Sequence, residues 1–193
     1  PSRSMTRAEA AAIFARLLAE KNGDTISTVA NTRFTDIPAH AWYSGYAKYL
    51  NNNGVTYGKS KTTFAPNDAI TRAEFTTLAV RFFDVYGDGD AEIMEQYKDF
   101  NDVSDGYWAA AYIKAAAKHG WINGYEDGTF RPNNTITRAE VTTIVNRMLG
   151  RAADKDYVDS HKDQLRQFPD VAQTNWAYYN IVEATNAHDY EKS

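Results

Sequence analysis

No cysteine occurs among the 193 residues, which excludes disulfides, thiol catalysis and cysteine-based metal sites. Excess positive charge is also missing: the formal net charge is −4, whereas a duplex nucleic-acid partner needs a dense Lys/Arg face to neutralise phosphates. No stretch of about 18 apolar residues exists, so membrane insertion is not expected. Pro1 opens no signal peptide, because Met5 to Leu18 carries Arg7, Glu9 and Arg16 within its apolar stretch. Either a leader has been removed or the chain starts inside a longer protein. Catalytic signatures are absent too. His40, His119, His161 and His188 lack metal-ligand spacing, and no nucleophile elbow or phosphate-binding glycine loop occurs. The acidic run from Asp84 to Glu92 does not match an EF-hand and reads as a solvated loop between helices. Nothing singles out a carboxylate pair for glycoside cleavage. The expectation is a protein that is not an enzyme and takes no cofactor and no metal.

What is present is a globular composition, 43% hydrophobic and 24% charged, with 13 Tyr and 4 Trp. The residues recur with a period of about 66. Thr-Arg-Ala-Glu stands at Thr6–Glu9, Thr71–Glu74 and Thr137–Glu140. Phe-x-Asp-[Ile/Val] stands at Phe34–Ile37, Phe100–Val103 and Phe168–Val171, followed by Trp42, Trp108 and Trp176. Two copies share a Gly-x-x-x-Gly turn, Gly54 to Gly58 and Gly120 to Gly124, and then Thr63-Phe64-Ala65-Pro66 or Thr129-Phe130-Arg131-Pro132. Pro1–Thr6, Pro66–Thr71 and Pro132–Thr137 are each six residues long, so the copies are units of one module at about 1–65, 66–131 and 132–193.

Thr-x-x-Glu is the capping-box pattern of a helix start. An apolar stripe at i, i+3, i+4, i+7 and i+8 follows each: Ala10, Ile13, Phe14, Leu17, Leu18; Phe75, Leu78, Ala79, Phe82, Phe83; Val141, Ile144, Val145, Met148, Leu149. A second helix is expected to start near each Trp, with Trp42, Tyr46 and Leu50 on one face, and Gly54 and Gly120 are expected to close the first two in the left-handed conformation. The polar stretch from Arg151 to Gln167 has room for some helix at Tyr157–Arg166. The expected class is all-α: six main helices, with units that must pack on one another because none buries its apolar face alone. Closure about a pseudo-threefold axis, as a monomer, is the economical arrangement.

These elements in this order resemble the S-layer homology family, and the likeness covers nearly the whole chain. The resemblance implies a three-pronged helical spindle around a central helix bundle, with grooves between prongs. It implies a secreted bacterial protein held non-covalently at the cell surface by a secondary cell-wall polysaccharide, often one ending in pyruvylated N-acetylmannosamine, or else by modified peptidoglycan. The lack of cysteine is compatible with that location. An anionic ketal suits Arg7, Arg72 and Arg138 at helix starts, where the amide dipoles also favour an anion. Trp42, Trp108 and Trp176 offer planes to sugar rings, although core packing is the plainer expectation for them. Gly58 and Gly124 would let backbone amides approach a ligand closely. Asp36, Asp102 and Asp170 could accept from sugar hydroxyls, or could cap the turn that follows. Glu9, Glu74 and Glu140 read as helix caps, and Arg16, Arg81 and Arg147 as structural cations near helix C-termini. The third copy lacks the Gly turn and Thr-Phe-x-Pro. The expected grooves therefore pair Gly54–Gly58 with Arg72 and Gly120–Gly124 with Arg138. A second class of function, docking of a partner protein on a helical repeat, fits the same architecture.

Overall fold

In a computed structural model the three Thr-x-x-Glu tetrads form complete capping boxes. The Glu9 amide donates to Thr6 Oγ1 (3.2 Å) and the Thr6 amide to Glu9 Oε2 (2.8 Å). The same pair of bonds occurs at Thr71/Glu74 and Thr137/Glu140. They start α1 (Arg7–Asn22), α3 (Arg72–Tyr86) and α5 (Arg138–Met148), which the apolar stripes bury. The structure describes residues 2–87, 97–151 and 153–186. His188 and the acidic positions Asp88, Asp90 and Glu92 lie outside the described residues.

Between these helices come α2 (Ser44–Asn52), α4 (Ala110–Lys118), the short α6 (Lys155–Ser160) and α7 (Tyr178–Thr185), giving seven helices among the described residues. The fold is all-α, and among the described residues its only sheet-like features are two isolated β-bridges. Gly54 (φ 75°) and Gly120 (φ 68°) close α2 and α4 as expected, and the Val55 amide reaches back to the Leu50 carbonyl (2.9 Å).

One expectation needs correcting. The second helix of each repeat begins two residues after the Trp, and the residue next to the Trp takes the buried position: Tyr43, Ala109 and Ala177 are inside, while Trp42, Trp108 and Trp176 are 57%, 56% and 64% exposed. Core packing is not their role. A one-residue slip in helix register rotates a side chain by about 100°, which is enough to turn an aromatic from core to solvent.

The chain forms two compact parts, Ser4–Ile136 and a smaller one made of Pro1–Arg3 with Thr137–Ser193. In the larger part α1 packs on α2 and on α3, and α3 on α4. Phe14 sits between Phe75 and Phe82, ring centroids 5.3 and 5.0 Å away. Three equivalent residues close a ring of backbone hydrogen bonds: Met5 donates to Ile136 (3.0 Å), Ile136 to Ile70 (3.0 Å) and Ile70 to Met5 (2.9 Å). All three side chains are buried. In the smaller part α5 and α6 pack on α7 around Val158, Tyr178 and Val182.

The Asp of Phe-x-Asp fixes the lead-in to the next helix. Asp36 accepts from the backbone amides of Phe64 (2.9 Å) and Ala65 (2.6 Å), and Asp102 from those of Phe130 (2.7 Å) and Arg131 (2.8 Å). Ala65 (φ 56°) and Arg131 (φ 58°) adopt the left-handed region immediately before a proline, a conformation disfavoured for both reasons and held here by the carboxylate. Asp102→Ala leaves two amide donors without their acceptor and releases a strained turn, so a loss of about 2–3 kcal/mol is expected in urea unfolding, with native helix content retained at low denaturant.

Candidate binding cleft

The larger compact part carries a cleft of about 410 Å³ lined by Arg7 of α1, Thr56 to Lys59 of the first Gly turn, Glu74, Thr77, Leu78 and Arg81 of α3, and Trp108. Each wall follows from the local fold. The capping box projects Glu74, and Arg81 lies two helical turns further along α3. The Gly turn presents Tyr57, which is 54% exposed. A side chain at Gly58 (φ 77°) would strike the Phe34 ring and lie 2.6 Å from the Thr63 carbonyl oxygen. The same holds at Gly124 against Phe100 and Thr129. These two glycines make room for a phenylalanine ring.

Arg7 lines the cleft yet is 6% exposed. Its Nε donates to the Phe64 carbonyl (2.7 Å) and its Nη1 pairs with Glu74 Oε1 (3.0 Å). Burial pulls its guanidinium below the ordinary value, opposed by Glu74, then Asp68 and Asp36. Arg72 repeats this placement: its Nε donates to the Phe130 carbonyl (2.7 Å) and it lies over the rings of Phe130 and Tyr125. The pairing is therefore shifted by one repeat from the sequence expectation. The first Gly turn goes with Arg7 and the second with Arg72, because each helix start receives the Thr-Phe-x-Pro lead-in of the following helix.

The amides at these helix starts are also taken. Arg7 N donates to the Asp68 carbonyl (3.0 Å) and Ala8 N to that of Pro66 (3.0 Å). Arg72 N and Ala73 N donate to the Asn134 and Pro132 carbonyls (2.8 and 3.0 Å). The anion-binding potential of the bare helix N-terminus is used internally at α1 and α3.

Among the described residues, the cationic group that faces the cleft without a carboxylate is Arg81. Its Nε and Nη2 donate to the Tyr112 hydroxyl (3.1 and 3.0 Å), and its guanidinium lies 4.9 Å from the ring centroids of both Tyr57 and Tyr112. Among the described residues no Asp or Glu pairs with it. Lys59 adds a second ammonium, bonded to Asp68 at 2.8 Å with both side chains about half exposed. Trp108 supplies an open aromatic plane at the rim. Of the residues expected from sequence, the cleft gathers Arg7, Gly58 and Trp108, while Asp36 and Asp102 hold backbone and Arg138 lies exposed in the smaller part. Sequence reasoning missed Arg81, set aside as a C-terminal cation, and Tyr57 and Lys59. Tyr57 lies within the Gly-x-x-x-Gly spacer and Lys59 directly after it, whereas Arg81 stands on α3.

An all-α repeat module with a solvent-open aromatic and cationic cleft is the class these features define. The chain belongs to the S-layer homology domain family, whose model matches residues 33–76 and 99–142, the two stretches that run from Phe-x-Asp through Thr-Arg-Ala-Glu. It is 35% identical to a cellulosome-anchoring protein of Acetivibrio thermocellus over 99% of this chain and 40% of that protein. Cell surface glycoprotein 1 of the same organism is 33% identical over 98% of this chain and 8% of its own length. A surface-layer 125 kDa protein of Lysinibacillus sphaericus is 33% identical over 77% of this chain and 12% of its own. The chain thus spans less than half the length of these relatives.

Glu74→Gln keeps the capping acceptor and removes the charge opposite buried Arg7. A destabilisation of about 2–3 kcal/mol is expected by urea unfolding, whereas Lys59→Gln, which breaks an exposed pair, should cost under about 1 kcal/mol. Just after the second Gly turn, Asp127 accepts from Thr129 and from Arg131, and these bonds hold its carboxyl down to about 2. A carboxyl lowered in this way contributes its turn stabilisation above the ordinary carboxylate range and loses it as pH falls toward 2. A carboxyl carbon titration should therefore place Asp127 well below the ordinary aspartate value.

Proposed function

We propose that the chain is a non-covalent cell-wall anchor that takes an anionic wall polysaccharide into the cleft of Arg81, Lys59, Tyr57 and Trp108. Membership of the family and the surface and anchoring names of its relatives support a cell-surface location and an anchoring role. The observation that carries the ligand chemistry is Arg81. A guanidinium sandwiched by tyrosines, with no carboxylate partner among the described residues, is a preorganised counter-charge for a carboxylate or phosphate. An exposed tryptophan beside it suits the apolar face of a pyranose. A pyruvylated N-acetylmannosamine terminus has both parts, a sugar face and a ketal carboxylate. Arg7 shapes this cleft as a neutralised wall, and the charge that meets ligand is that of Arg81.

Sedimentation with purified cell-wall sacculi tests the reading. Trp108→Ala and Arg81→Gln should each lower the affinity about tenfold, about 1.4 kcal/mol, with helix content preserved. Removing the wall polysaccharide should abolish binding, and removing only its pyruvate should reproduce the Arg81→Gln loss. Undiminished binding to stripped walls would redirect the function to peptidoglycan or to a protein partner. Parent-like binding by both variants would remove the cleft from the mechanism.

A further inference from the structure

Asn-Gly occurs three times in the chain, at Asn22–Gly23, Asn53–Gly54 and Asn123–Gly124. Asparagine is thermolabile, and a following glycine, having no side chain, leaves its amide nitrogen free to approach the asparagine side-chain carbonyl carbon. The fold treats the three pairs differently. Asn22 ends α1: its side-chain amide donates to the Tyr49 hydroxyl (3.3 Å), and the Gly23 amide donates to the Glu20 carbonyl (3.3 Å). Asn53 caps α2: its side-chain amide donates to the Tyr49 carbonyl (2.9 Å), and the Gly54 amide donates to the Asn51 carbonyl (3.2 Å). Asn123 is exposed and lies outside any helix. Among the described residues its side chain has no hydrogen-bond partner, and the Gly124 amide has no acceptor.

The equivalent turn of the preceding repeat has what this one lacks. There Thr56 Oγ1 accepts from the Gly58 amide (3.3 Å), and Tyr57 stands in the place of Asn123. Ile122, buried like Thr56, offers no acceptor. We infer that Asn123–Gly124 is a site of spontaneous deamidation. The Gly124 nitrogen loses its proton to base and bonds to Asn123 Cγ; the Cγ–Nδ2 bond breaks, and the side-chain nitrogen departs as ammonia, leaving a succinimide. One water then opens the ring. Breaking the bond from the Gly124 nitrogen to Cγ gives aspartate. Breaking its bond to the Asn123 main-chain carbonyl carbon gives isoaspartate, with one more carbon in the main chain. The turn is packed too closely to absorb that carbon without moving. A Cβ on Gly124 would lie 2.4 Å from the Phe100 ring and 2.6 Å from the Thr129 carbonyl oxygen, and the Tyr125 amide donates to that same oxygen (2.8 Å). Thr129 leads directly into Phe130, whose amide Asp102 holds and whose carbonyl Arg72 holds. Ageing at Asn123 therefore loosens the second lead-in.

Peptide mass mapping of the 193-residue chain, fresh and after storage in warm, mildly alkaline buffer, tests this. Asn123 should convert about tenfold faster than Asn22 or Asn53, the difference that two retained hydrogen bonds make to a rate. The aged chain should melt about 3 °C below the fresh one. Fresh Asn123→Asp, which has the new charge without the extra carbon, should show less than half of that loss. Asn123→Tyr, which copies the residue of the first turn, should abolish both the conversion at this position and the loss on storage. Conversion of Asn22 or Asn53 as fast as that of Asn123 overturns the assignment of the site. A melting temperature that stays constant in the converted chain, that falls as far in stored Asn123→Tyr, or that is already as low in fresh Asn123→Asp overturns the effect on the turn.

Discussion

A guanidinium that reaches a carbonyl 57 or 58 residues away is the contact on which the rest of the larger part depends. Arg7 and Arg72 stand at the first position of a helix, and each holds the phenylalanine carbonyl of the lead-in to the next repeat's helix. The Asp of Phe-x-Asp holds the amides of the same residues from the other side. Both polar faces of one peptide segment are thereby satisfied, one by a buried guanidinium and the other by a carboxylate at the surface, with two phenylalanine rings packed beside them. A short repeat cannot bury its own apolar face, so stability has to come from its neighbours. Here the coupling is concentrated in this clamp and in the Met5–Ile136–Ile70 ring.

The clamp also explains where binding chemistry is found. Once Arg7 is held by Phe64 and Glu74, and its amide by Asp68, the helix start has little left to offer an anion. What remains open is the surface beside the clamp: the tip of the Gly turn, α3 from Glu74 to Arg81, and the tryptophan left outside by the register of the following helix. The cleft is a by-product of repeats meeting edge to edge. Its composition can therefore vary at Tyr57, Lys59 and Arg81 without touching the residues that hold the fold.

The helices were legible in the sequence because capping boxes and apolar stripes are local signals, and the structure places α1, α3 and α5 where Thr-Arg-Ala-Glu puts them. The exposure of Trp42, Trp108 and Trp176 was not legible, since it depends on a one-residue choice of register that either aromatic, Trp42 or Tyr43, could have satisfied. Nor was the partner of each Arg. Repetition fixed that an Arg meets a Gly turn, but not which turn, because spacing within a repeat carries no information about which neighbour it packs against. The role of Asp36 and Asp102 had two readings, and the turn-holding one is the geometry observed.

Recurrent residues at equal spacing thus divide into two kinds by environment. Thr-Arg-Ala-Glu, Phe-x-Asp and the second glycine recur because the clamp needs each of them at a fixed place: cap, guanidinium, acceptor, ring, and room for that ring. Arg81 recurs with Arg16 at a position where nothing in the clamp requires a cation. Both nonetheless share one arrangement, a guanidinium donating twice to a tyrosine hydroxyl, Tyr46 for Arg16 and Tyr112 for Arg81. Arg81 differs by gaining Tyr57 as a second ring. A tyrosine hydroxyl orients a guanidinium without cancelling its charge, whereas a glutamate, as at Arg7, cancels it. That contrast between an oriented and a neutralised cation separates a residue suited to meet an anion from one that holds the chain together.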